Sequence, residues 1–197
     1  MRDTSPRKAE TRQRIVDAAS VLFRQQGING VGLDAIMHEA GLTHGGFYLH
    51  FASKEALIGA VSAEQLARSA TRWTDVAAQQ PREEALSWIV TGYLDRRHAV
   101  QSDHSCVLPA LGSELARRPE SRAALTGSIQ KMLGVLGRLL PRRRGMPAES
   151  AAMAALSTMV GAVVLARLSS DPALSEAILA AARAHVLPPD RSPPSAA

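Results

Sequence analysis

The sequence predicts an all-α protein, and three observations carry that prediction. Apolar residues recur at helical spacing: Ile15, Ala18, Ala19, Leu22 and Phe23 fall at i, i+3, i+4, i+7 and i+8. Hydrophobic residues make up 46% of the 197, yet aromatics only 4%, with Ala and Leu abundant, a balance that leans towards helix. No alternation of apolar and polar residues lasts long enough to define a strand, and no internal repeat at a fixed period is evident.

About nine helices follow in order. Residues 1–8 read as a flexible basic arm with Arg2, Arg7 and Lys8. The first helix runs from about Lys8 and is stopped by Gly27 and Gly30. The second starts near Leu33 and turns Ile36, Met37 and Ala40 inward, with Gly41 placed to take positive φ at its end. Leu42-Thr43 leads into a very short third element, His44 to His50. Ser53 caps a fourth helix reaching about Ala78, and Glu55 in its first turn suits the positive end of the dipole. Pro81 opens a fifth, to about His98; the polar run 101–105 is a loop. The sixth spans Cys106 to Arg118, with Pro109 in its first turns, and Pro119 starts the seventh, to about Leu140. Residues 141–147, with Arg142, Arg143 and Arg144, form a solvated loop. The eighth covers Ala148 to Ser169. Asp171-Pro172 caps and opens the ninth, to about Val186. The tail 188–197, with four prolines, is expected to be disordered.

Composition removes several classes of function. One cysteine permits no intrachain disulfide and no Cys-rich zinc module. The polar start lacks the apolar core of a signal peptide. The longest uncharged stretch of the C-terminal region, Ser150 to Ala166, falls short of the roughly 20 residues of a membrane span. A soluble, cytoplasmic protein without a membrane partner is expected. His38-Glu39 lacks the second histidine of a zinc protease, since position 42 is Leu42. Ser128 and Lys131 match S-x-x-K, but its companion elements are missing. Asp95, His98, Asp103, His104 and Cys106 form a loose cluster without recognised ligand spacing, so neither metal nor cofactor is expected, and no catalytic residues are assigned.

The informative segment is Thr11 to Leu57. A short helix, the turn Ala40-Gly41-Leu42-Thr43 and a second short helix make a helix-turn-helix. Its physics suits double-stranded DNA, because one helix fits the major groove and its N-terminal residues face base edges. Thr43, His44, Gly45 and Gly46 stand at that start. Two helical glycines cost about 1 kcal/mol each relative to alanine, which points to close backbone approach to a partner. Tyr48, His50 and Lys54 supply hydroxyl, imidazole and ammonium groups suited to phosphates. Net charge helps little: the +5 divides as +2 in residues 1–54 and +3 beyond.

These residues resemble a known family. Thr11-Arg12-Gln13-Arg14-Ile15-Val16-Asp17-Ala18-Ala19, Leu22-Phe23 and Gly27 look like the opening helix of TetR/AcrR-type bacterial repressors. So do Ala40-Gly41-Leu42-Thr43, Gly46-Phe47-Tyr48-Leu49-His50-Phe51 and Ser53-Lys54-Glu55-Ala56-Leu57. Two departures stand out: Gly32 replaces the usual Thr or Ser cap of the second helix, and Met37 replaces a small alanine. The resemblance implies a DNA-binding domain over residues 9–54 and a helical effector-binding and dimerisation domain over 55–187.

A homodimer on a palindromic operator is the expected assembly, because one short helix reads too few bases and two reading heads match half-sites about 34–36 Å apart, or multiples of this. Ala151, Ala154, Ala155, Val160, Gly161, Val164, Leu165, Ile178 and Ala182 are the interface candidates. Trp88, Tyr93, Cys106, Met132, Leu136, Met153 and Met159 are the candidates to touch a small-molecule effector. Two alternatives stand beside an effector-released repressor. In one, Cys106 is an electrophile or redox sensor, since a helix N-terminus lowers a thiol pKa from its free value of about 8.5; its plain counterpart is a small buried apolar residue. In the other, the protein binds DNA without any effector.

Overall fold

The computed structural model describes residues 6–100, 105–142 and 144–187, and among them every regular element is helical. The nine α-helices are α1 (Pro6–Gln26), α2 (Leu33–Glu39), α3 (Lys54–Gln79), α4 (Arg82–Tyr93), α5 (Arg96–Val100), α6 (Val107–Leu115), α7 (Pro119–Leu139), α8 (Ala148–Leu168) and α9 (Pro172–Val186). A 3-10 helix, His44–Leu49, lies between α2 and α3.

Three expectations need correction. Pro6, Arg7 and Lys8 belong to α1 rather than to an arm, because proline suits a first helical turn and good helix formers follow it. The segment at 44–49 is a 3-10 turn, not an α-helix, consistent with the low helix propensity of Gly45 and Gly46. The single helix expected over 81–98 is broken at Leu94-Asp95 into α4 and α5. There the Asp95 carboxylate accepts the Arg97 N–H at 2.7 Å, and Arg183 of α9 donates to the Leu94 carbonyl at 2.5 Å. The disordered tail expected at 188–197 lies outside the described residues, as do Asp103, His104 and Arg143.

Other local signals hold. Gly27, Gly41 and Gly145 take positive φ. Ser53 Oγ accepts the Ala56 N–H at 3.1 Å, and Asp171 accepts that of Ala173 at 2.9 Å. Gly32 gives α2 no side-chain cap.

The described residues gather into two compact units. One draws on Met1–Arg72 and Gln101–Lys131, the other on Trp73–Val100 and Met132–Ala197. α3 starts at Lys54 and passes from the first unit to the second after Arg72, and α6 joins the N-terminal helices. The first unit has a core of Ile15, Val16, Phe23, Ile36, Phe47 and Leu57, all buried. The second unit packs α8 against α9 and α5. Its helix ends are closed by arginines: Arg82 donates to the Leu139 and Leu140 carbonyls, and Arg167 to those of Ala99 and His98. By length and composition α8 is apolar enough to cross a membrane, but its buried face packs within this unit.

Candidate nucleic-acid interface

Gly41, at φ +65, reverses the chain after α2 and leads into Thr43, whose carbonyl accepts the Gly46 N–H at 3.0 Å. Arg14 of α1 fastens the reversal by donating to the Ala40 carbonyl at 2.6 Å. Phe47 is fully buried and stacks on Phe51 at 5.8 Å, which anchors the 3-10 turn to the core. The remaining residues of the turn are left outward: Thr43, His44 and Gly45 are exposed, Tyr48 is 61% exposed and Leu49 is 71% exposed.

The glycine pair has no steric cause inside the chain. A Cβ at Gly45 would meet open space, and one at Gly46 would make ordinary contact with Met37 Cε at 3.7 Å. The second contact also accounts for Met37, whose bulk fills the space beside a residue without a side chain.

His50 and Lys54 sit differently from Tyr48. His50 is half-buried, its Nδ1 is enclosed without a hydrogen-bond partner, and burial followed by Lys8 and Arg12 lowers its pKa below 6.5. Lys8, Arg12 and His50 thus form one basic neighbourhood, with the Arg12 guanidinium 4.6 Å above the Phe51 ring. Lys54 Nζ donates to the Ile28 carbonyl at 2.9 Å. A lysine in the first turn of a helix thereby acquires a protein partner, so its presence requires no phosphate. Asp34, Arg12 and Leu49 escaped the sequence reading; only the polar side of α1 and α2 hinted at the first two. Asp34 matters most, because its Oδ1 stands 2.5 Å from His44 Nδ1.

The turn preceding α2 is held from α6. Glu114 Oε2 accepts the N–H groups of Ile28 at 3.1 Å and Asn29 at 3.3 Å. Arg118 donates to Asn29 Oδ1 at 2.8 Å and pairs with Glu55.

The effector candidates differ in exposure. Tyr93, Met132, Leu136 and Met159 are buried, whereas Trp88 is 36% and Met153 54% exposed. Cys106, also buried, stands at the N-cap position of α6 in the first unit without a side-chain capping hydrogen bond. Two neighbouring clefts in the second unit, of about 130 and 430 Å³, are lined by residues such as Leu140, Pro141, Met146 and Ala151 and by none of the seven candidates. Among the interface candidates, Ala155 and Ala182 are buried in the chain's own packing. Ala154 and Leu165 are exposed; Ala151, Val160, Gly161, Val164 and Ile178 are half-buried. Exposed Met153 and Leu168 extend the apolar surface of α8 beyond the expected set.

A family model described as bacterial regulatory proteins, tetR family, matches residues 15–70. The HTH-type transcriptional regulator SrpR of Pseudomonas putida is 37% identical over 101 residues, covering 51% of this chain and 46% of SrpR. TtgW, also of Pseudomonas putida and named an uncharacterized HTH-type transcriptional regulator, is 37% identical over 101 residues, covering 51% of this chain and 73% of TtgW. The chain thus spans less than half of SrpR but nearly three quarters of TtgW. Among solved structures, the reduced form of E. coli NemR superimposes with TM-score 0.77 at 21% identity, over 90% of this chain and 95% of that one. A TetR transcriptional regulator from Chloroflexus aurantiacus gives TM-score 0.76 at 24% identity, over 92% and 94%. Both share the fold.

Proposed function

Because the chain belongs to the TetR/AcrR family of bacterial transcriptional regulators, we propose that it is a cytoplasmic repressor that grips a palindromic operator as a homodimer and releases it when a small molecule binds. The observation that carries this reading is the outward surface from Thr43 to Leu49, set on a buried Phe47 anchor and lacking side chains at Gly45 and Gly46. Thr43 and His44 read base edges; Tyr48 and His50 hold phosphates, with Lys8 and Arg12 beside His50. Lys54 acts mainly by fixing the Ile28 carbonyl. The protein needs no metal and catalyses no reaction. The exposed apolar side of α8 supplies the two-fold contact. The effector acts only through its differential affinity for two conformers of the dimer. Selection of bound sequences from random DNA tests the core of this reading. A palindrome is expected; enrichment without symmetry would favour an architectural DNA-binding protein, and no enrichment would end the proposal.

One observation favours a second reading, a thiol switch: Cys106 is a thiol outside any disulfide, standing at the N-cap position of α6. Its burial means that the helix end must open before an electrophile reaches it. Cys106→Ser should then abolish electrophile-induced release while keeping operator affinity. Equal sensitivity in both proteins eliminates the switch.

A further inference from the structure

The Thr43–Leu49 surface carries a contact that stability does not explain. Asp34, in the first turn of α2, places Oδ1 2.5 Å from Nδ1 of His44, and the two side chains are 87% and 51% exposed. An exposed pair of this kind adds little to folding. A carboxylate on a surface that meets DNA also repels phosphates, so its presence costs affinity unless it organises a neighbour.

The neighbour is the imidazole. Tyr48 approaches the same ring edge-on at 6.3 Å, so the residues facing His44 are Asp34 from α2 and Tyr48 from its own turn. An ionised carboxylate only accepts, so Nδ1 must carry a proton. The ring orientation is thereby fixed and Nε2 is the one remaining hydrogen-bonding atom, without a partner among the described residues. With both ring nitrogens protonated, Nε2–H is a donor. In the major groove that donor matches guanine N7 and O6.

We propose that Asp34 is a specificity-determining positioning residue: it holds His44 so that Nε2–H is presented to a guanine in each operator half-site. This rests on the reading of the chain as an operator-binding dimer. Asp34 touches no base itself.

The test uses the full chain in four forms: unaltered, Asp34→Ala, Asp34→Asn and His44→Ala. Each is put through selection from random DNA, and binding to the selected operator is then measured. The unaltered protein should select a palindrome with guanine at one symmetric position. His44→Ala and Asp34→Ala should each lose that preference by about 10-fold, at the same position. Asp34→Asn should keep most of the base preference, since its amide oxygen still accepts from Nδ1–H. Asp34→Ala selecting guanine as strongly as the unaltered protein would overturn the assignment, as would losses at different positions. If the unaltered protein selects no palindrome, the operator-binding reading fails first, and this inference falls with it.

Discussion

Gly45 and Gly46 give a direct test of what the outward turn is for. With open space at Gly45 and ordinary contact at Gly46, alanine at both positions fits the free protein without strain. Helix propensity improves by about 1 kcal/mol per site. Gly45→Ala with Gly46→Ala should therefore melt no lower than the unaltered protein yet bind its operator more weakly. Equal or tighter binding in a more stable variant would leave the pair without a role on DNA. His98 offers a second measurement, this time of stability. Burial, then the neighbouring Arg167, lowers its pKa to about 4, while Asp95 acts in the opposite sense. The unfolded chain protonates this side chain near its ordinary value of about 6.5. The folded chain resists the proton, so stability present above about 6.5 is lost as pH falls through the interval down to about 4. His98→Gln should flatten that part of the curve in urea titrations run at about pH 7 and pH 4.5; parallel losses would assign the effect to another group. At this level the sequence was partly legible. Tyr48 and the glycines announce themselves, because an aromatic hydroxyl and missing side chains at the opening of a short helix have few internal uses. Asp34 and the partner of Lys54 do not, because each depends on where a turn brings one atom of a distant residue.

Helix ends follow the same division. Gly27, Gly41 and Asp171-Pro172 mark their boundaries by local chemistry, and those boundaries could be read directly from the chain. The break between α4 and α5 could not: Leu94-Asp95-Arg96 contains neither glycine nor proline, and the freed Leu94 carbonyl is satisfied by Arg183 of α9. The 3-10 turn lies between these cases, since the glycine pair signalled weak helicity without specifying its form. The apolar side of α8 supports a sharper expectation. Gly161 is half-buried and a Cβ there meets nothing within 4 Å, so the chain leaves room for a side chain to start at that position. If this side is the contact between copies, Gly161→Arg buries an unpaired charge only in the dimer. Light scattering should then report a folded monomer; a persistent dimer would move the interface elsewhere.

Each compact unit is assembled from two stretches of chain that are not neighbours in sequence, and both α3 and α7 contribute residues to both units. The Glu114 carboxylate is the clearest expression of this, because it satisfies the N–H groups of Ile28 and Asn29 from a helix more than eighty residues away. Glu114→Ala should leave both amides unpaired, at a cost on the order of 1–3 kcal/mol. Hydrogen exchange should accelerate at those two positions more than at the Phe47 amide; unchanged protection would show that the carboxylate is dispensable.

The same carboxylate bears on how such regulators could be recombined. A chimera joined at residue 54 would import a reading head but leave its Glu114 and Arg118 behind, inherited instead from the recipient. The foreign head would then depend on whether the recipient happens to offer an acceptor and a cation at those places. A graft that carries residues 105–131 together with 6–72 transfers the complete unit. Exchange of operator specificity between lineages is thus a two-segment event, and positions 28–29, 55, 114 and 118 are where mismatched parents should show incompatibility.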